Sequence, residues 1–305
     1  MINSYKLGKQ ILNGQKFIGY RRGIVFMIRA LWHHKEVQKL YEFFHHNPHR
    51  HSIIMMHPVF FMQLTRQVFY KNSNTSERFS LIVQHFSALE SQFTDQGTQQ
   101  LYLGSGIRLW SEQYKEQILA IDLVFRTSEF KEGLLTLGLK LNNKYIYHVN
   151  FWLLFDKHNA LYIGALQGSR DGLSINKELT KLFWGCRPQS LIMCALRILA
   201  QGLSISKIHA VSNSGFYANN HLRRDRKLKT SLDDFWLKSG GQLSHDQRFF
   251  ILPVTEHRKT IGEVASHKRN LYRKRFAVLD RIAADIASNL VPFMKNCPTT
   301  KSVSG

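Results

Sequence analysis

Between Leu119 and Phe155 the chain alternates apolar and polar positions in a way that only a sheet satisfies. Leu119, Ile121, Leu123 and Phe125 form one such set, and Leu135, Leu137, Leu139 and Leu141 a second. Tyr145, Tyr147, Val149, Phe151, Leu153 and Phe155 form the third. A period of two puts successive side chains on opposite faces of a strand. Asn142–Asn143 suits a two-residue hairpin turn, and Asp156–Asn159 makes another turn before Leu161. Four consecutive strands joined by short turns predict an antiparallel meander. A Pro-started apolar helix over Pro188–Gln201 follows, stopped by Gly202. The strand after it, Ile205–Ser212, can then lie parallel to its neighbour.

Upstream, residues 1–100 read as helical. Ile24, Met27, Ile28 and Leu31 recur at helical spacing, as do Val37, Leu40, Tyr41 and Phe44. The two stripes are out of phase, which predicts a bend at His33–His34. Core packing is the common use of such a stripe. With Arg21, Arg22, Arg29 and Trp32 beside it, the first stripe also suits an interfacial membrane helix. Asn47–Pro48 ends the segment. Asn72 to Ser76 forms a loop before a helix carrying Phe79, Ile82, Val83, Phe86 and Phe93. Downstream, Ser231 is an N-cap for a short helix that ends in glycines, and Arg248–Leu252 is a last strand. A C-terminal helix packs through Tyr272, Phe276, Leu279, Ala283, Ile286 and Leu290. Pro292 stops it, and residues 293–305 read as a disordered tail. The fold expected is α+β: a helical N-terminal region, then over residues 101–292 a mixed, mostly antiparallel sheet with a crossover helix and a long C-terminal helix.

Among 305 residues, 42 Lys and Arg stand against 21 Asp and Glu, a net charge of +21. That excess favours polyanionic partners such as an anionic membrane surface or nucleic acid. Three cysteines with no C-x-x-C pair point to a reducing compartment. No uncharged window reaches bilayer length, and the longest apolar run near the N-terminus is too short for a signal peptide. The expected location is cytoplasmic, with peripheral contact to the inner membrane. Basic residues gather in two places. Arg223, Arg224, Arg226, Lys227 and Lys229 form one burst; Lys268, Arg269, Arg273, Lys274 and Arg275 form the other. Together they can flank one anionic surface. Tyr272 and Phe276 belong to the helix seam rather than to base stacking, so phosphate-rich lipid is preferred to nucleic acid.

The unit from Leu161 to Asn220 is built like a site. Gly164 and Gly168 leave backbone open to a ligand, and the helix start at Pro188 offers free N–H groups to an anion. Gln167, Asn213, Tyr217, Asn219 and Asn220 can line one pocket at the strand ends; Asn213–Gly215 reads equally as a turn whose side chains cap local backbone. His209, inside a strand, is either a hydrogen-bonded core histidine or a substrate ligand. Glu129, in the loop Ser128–Gly133, is a candidate base. Cys186 beside Arg187 reads as a small apolar residue without a placed His partner. The cluster His45, His46, His49 and His51 is interrupted by Pro48 and lacks carboxylate or thiol company, so no metal is assigned.

Several stretches together resemble the VirK/YbjX family of Gram-negative bacteria: Tyr162–Ser169, Leu179–Leu191, Ile208–Asn213, Asp233–Gly241 and His267–Phe276, with His57 to Thr65 upstream. The resemblance implies a virulence- and envelope-associated protein without a settled biochemical activity. The order of elements also resembles the GNAT acyltransferase fold, in which a glycine-rich helix start binds the pyrophosphate of acyl-CoA. That glycine signature is absent before Pro188, where Lys181, Gly185 and Arg187 stand instead. The GNAT likeness implies acyl-CoA or acyl carrier protein as donor and an acyl or anionic lipid-linked substrate. Tyr217 would be general acid to the leaving thiolate, Asn213 would orient the carbonyl, and Gln167, Gly168, Arg187, His209, Asn219 and Asn220 would bind substrate. The alternative is a non-enzymatic basic protein binding anionic membrane or nucleic acid.

Overall fold

The computed structural model describes residues 18–169, 172–219 and 231–295. Among the described residues six helices come first: α1 (Ile18–Trp32), α2 (His34–His45), α3 (Pro48–Met56), α4 (Val59–Thr65), α5 (Thr75–Gln92) and α6 (Asp95–Tyr102). The bend expected at His33 separates α1 from α2. At Asn47–Pro48 the chain stops one helix and starts another. Asn47 caps α3 by accepting from the N–H groups of His49 and Arg50, at 2.8 and 3.2 Å, with Pro48 in the first turn where no N–H is needed. A capping box between Asn74 and Glu77 starts α5.

The stripe Ile24–Met27–Ile28–Leu31 does not pack in the core. Gly23, Phe26 and Ala30 are buried in α1, while Ile24, Ile28, Leu31 and Trp32 face solvent. The helix is turned so that its small and aromatic face, not its aliphatic stripe, meets α2 and α4.

An eight-stranded sheet follows, in the order β1-β2-β3-β4-β5-β6-β8-β7. Its strands are β1 (Ile107–Tyr114), β2 (Gln117–Val124), β3 (Leu135–Leu141), β4 (Lys144–Phe155), β5 (Asn159–Gly168), β6 (Lys207–Val211), β7 (Gln242–Leu243) and β8 (Phe249–Leu252). The meander has five strands, because Ile107–Tyr114, too irregular in its alternation to be read from the sequence, pairs with β2. Asn142 takes the positive φ of 52° that the β3–β4 turn needs. Only β5 and β6 are parallel. The crossover between them contains α7 (Leu173–Leu182) and α8 (Pro188–Gly202).

Helix α8 is apolar nearly all round and correspondingly buried, from Leu191 to Ala200. It lies against β3 and β4, and α10 (Arg269–Leu290) covers α8 and β1 through Leu279, Ile282, Ile286 and Leu290. Tyr272 and Phe276, at the charged end of α10, are half-buried. Between β6 and β7, α9 (Leu232–Lys238) buries Trp236, whose indole donates to the carbonyl of Val211 at 2.9 Å. On the N-terminal side α5 packs against β4. Buried His85 fixes it there. Its Nδ1 accepts from the Leu153 N–H at 3.0 Å, and its Nε2 donates to the Tyr102 hydroxyl at 2.7 Å, which donates to the Leu134 carbonyl at 3.0 Å. The tail begins ordered: Val291–Phe293 is a helical turn and Met294 bridges Phe93, while residues 296–305 lie outside the described residues.

Candidate functional site

Register, rather than sequence proximity, assembles a polar row across one face of the sheet. Arg108 faces Asp122, Asp122 faces Gly138, Gly138 faces His148, and His148 faces Gln167. One step along, Thr136 faces Asn150. The alternation that buries Leu135, Leu137 and Leu139 on one face puts these polar residues on the other. The β2–β3 connection lies over them. It is pinned by Gln63, which donates to the carbonyls of Phe130 (2.6 Å) and Gly133 (3.3 Å), and by the Phe69 N–H bond to Lys131 (2.7 Å).

Glu132 is the centre of the arrangement. Buried under the connection, its Oε2 accepts from Gln167 Nε2 at 2.6 Å and from Asn150 Nδ2 at 2.9 Å, while Asn150 Oδ1 accepts from Thr136 at 2.8 Å. Burial, with a smaller push from Glu129, raises the Glu132 carboxyl to about 7, against the pull of its two amide donors. Such a carboxyl is half-ionised near neutrality, which is where a general base works best. Glu129 lies 3.6 Å from Arg126 and 3.9 Å from His148 Nε2. Burial lowers His148 to about 4, outweighing Glu129, so the ring is neutral at pH 7. Its Nε2 is buried with no hydrogen-bond partner. At the far end of the row Asp122 is buried, which alone would raise it; Arg108 (2.9 Å) and Lys140 (2.7 Å) outweigh that and hold it ionised.

The site sits beside the stretch of β5 that runs on past its parallel pairing with β6, which ends at Val211. β5 and β6 pair from Ala160–Lys207 to Ile163–Ala210 and no further, while β5 runs on to Gly168. Gly164 is the first residue past that pairing. A Cβ there would meet the Glu132 carbonyl oxygen at 2.0 Å. The backbone opening expected at Gly164 is therefore filled by the protein itself, and this close approach is why glycine stands there. At Gly168 the corresponding space holds the Tyr147 ring, 2.8 Å from an added Cβ.

The other expected residues fall in three places. Asn213 is occupied at the start of α9. Its Oδ1 accepts from the Leu232 N–H at 2.8 Å, its Nδ2 donates to Ser231 at 3.1 Å, and its own N–H donates to Asp233 at 2.7 Å. Asn219 donates to the Asn213 carbonyl at 2.8 Å, and half-buried Tyr217 lies against Phe216. Asn213 and Asn219 form a capping cluster, while Gln167 bonds instead to Glu132. His209 stacks on Tyr162 with ring centroids 4.4 Å apart, and burial, aided by Lys207, lowers its pKa. Arg187 is the exposed N-cap of α8. Beside it Arg275 donates to the Trp184 carbonyl at 2.8 Å, and Lys274 covers the Trp184 ring at 4.4 Å. Lys268, Arg269 and Arg273 are exposed at the start of α10. Asn220, Arg223, Arg224, Arg226, Lys227 and Lys229 lie outside the described residues. Of the expected residues that are described, Gln167 bonds into the buried network and Glu129 lies beside it, 3.9 Å from His148. Glu132, His148 and Asn150 complete the arrangement and lie outside the expected set. The available signal was polar residues at His148 and Asn150 inside an otherwise apolar strand.

A mostly antiparallel mixed sheet with helices before and after it makes this an α+β protein, and the chain belongs to the DUF535 family, described as proteins of unknown function, whose profile matches residues 16–288. Among individual relatives, the "Uncharacterized protein YbjX" of Escherichia coli is 27% identical over 80% of this chain and 76% of its own length. Two uncharacterized proteins of Haemophilus influenzae are similar as well, one 28% identical over 71% of this chain and 72% of its own, the other 24% identical over 87% and 88%. No solved structure matches the chain. The family resemblance carried by the sequence motifs is thereby established.

Proposed function

We propose that this chain is an envelope-related acyltransferase-like enzyme with Glu132 as its general base. The observation that carries the reading is a buried carboxyl, raised to about 7, that accepts from Gln167 on the stretch of β5 past its parallel pairing with β6. In a GNAT-like arrangement the arm of an acyl thioester would lie along this stretch of β5, unpaired with β6. Glu132 takes the proton from an incoming amine or hydroxyl, which attacks the thioester carbonyl. The new C–N or C–O bond forms, the C–S bond breaks, and the thiolate leaves with a proton from a general acid, the role assigned to Tyr217. Gln167 and Asn150 hold the carboxylate in place. The helix start at Arg187, with Lys274 and Arg275 beside it, suits the phosphates of acyl-CoA or the phosphopantetheine of acyl carrier protein, and an anionic lipid-linked acceptor suits the basic surface. Isothermal titration with acyl-CoA and with acyl carrier protein should give heat. Glu132→Gln should then keep donor binding and lose about 100-fold or more in turnover. No heat with either donor would overturn the reading.

The second reading, a basic protein that docks on anionic membrane or nucleic acid without chemistry, draws on the exposed cations that open α10. It predicts that Glu132 matters for stability alone.

A further inference from the structure

Helix α1 is anchored by one face only. Phe26 and Ala30 enter the core, and the opposite face exposes Ile24 (51%), Val25 (38%), Ile28 (59%), Leu31 (65%) and Trp32 (83%). At 3.6 residues per turn these five span an arc of roughly 120°. No polar residue of the stretch from Gly23 to Trp32 falls inside it, and exposed Arg29 lies at its edge. Sustained exposure of five large apolar side chains on one helix face marks a surface that is covered in use.

We propose that this face lies flat in the surface layer of an anionic phospholipid bilayer, the helix axis parallel to the membrane. Three observations choose that occupant. The helix has 15 residues, about 22 Å, too short to cross a hydrocarbon layer of about 30 Å, so it can only lie in the plane. The chain carries +21, which repels a second copy and attracts acidic headgroups. Trp32, an amphipathic ring, ends the apolar face, and exposed His34 and Lys35 follow it at headgroup level. The inference does not depend on the proposed chemistry, since none of these residues belongs to the polar row.

The test uses the full chain and vesicles of phosphatidylglycerol mixed with phosphatidylcholine, against phosphatidylcholine alone. The wild type should sediment with the anionic vesicles and fall off as salt rises. Ile28→Glu with Leu31→Glu, both at exposed positions, should weaken that binding by about tenfold or more while leaving the far-UV circular dichroism unchanged. Acrylamide quenching of Trp32, isolated by comparison with Trp32→Phe, should be strong in buffer and largely lost on anionic vesicles. Any of three outcomes overturns the proposal: the double variant binding like wild type, equal binding to both vesicle types, or Trp32 already shielded in buffer, which would mean the chain covers this face itself. A Glu132→Gln protein should bind vesicles normally, so loss of acyl transfer and loss of docking are separately readable.

Discussion

At the scale of single residues the chain keeps a carboxylate where water does not reach it. Holding Glu132 at about 7, against an ordinary value of 4.5, corresponds to about 3 kcal/mol favouring the protonated form. The folded state therefore binds this proton more tightly than the unfolded chain does. The group's contribution to stability is complete below pH 4.5, declines through the window up to about 7, and is gone above it. His148 has the opposite sign: lowered to about 4, it supports the fold above its unfolded value of 6.5 and ceases to as pH falls toward 4. Glu132→Gln removes the first dependence and keeps the second. Urea unfolding of wild type and variant at pH 5 and pH 8 should show the variant gaining relative to wild type at the higher pH, by up to about 3 kcal/mol. An unchanged difference would mean that Glu132 is not buried as an acid.

At the scale of elements, helix ends were legible because caps are local. Ser231 and Pro188 each start a helix where the sequence places it, and Asn74, inside the expected loop, caps another. Asn213 shows the limit of that legibility. Its side chain suits a carbonyl-orienting role, yet it serves α9, a helix 19 residues downstream of it by the bond to Leu232. Asn213→Ala should accordingly destabilise the protein by about 1–2 kcal/mol through the freed Leu232 N–H and the lost Ser231 bond. The measurement is a shift in urea midpoint, and a loss of activity at full stability would return Asn213 to the chemistry. The α1 stripe was likewise ambiguous: a period of 3.6 marks one apolar face, and only packing decides whether that face turns inward.

At the scale of the whole molecule, charge is the dominant property. An excess of 21 cations over the surface acts beyond any one contact and is screened over about 8–10 Å at ordinary ionic strength. Reversing Lys268, Arg269, Arg273 and Lys274, all exposed at the start of α10, leaves the Leu279–Leu290 seam intact. If basic docking is the function, that variant should lose retention on anionic vesicles and on DNA at low salt. Retention equal to wild type would remove the binding reading and leave the chemistry at Glu132 to be tested alone.

Periodicity, turn residues and caps act over a few neighbours, so the amino-acid sequence by itself determined the helical start, the antiparallel meander, the parallel return strand and the long final helix. What the tertiary structure alone decided was which polar residues meet. Glu132, Asn150 and Gln167 come together because strand register sets His148 opposite Gln167 and because Gly164 lets the β2–β3 connection descend onto the sheet. Those are contacts between segments far apart in the chain, chosen by the packing of the whole sheet, and no local pattern encodes them.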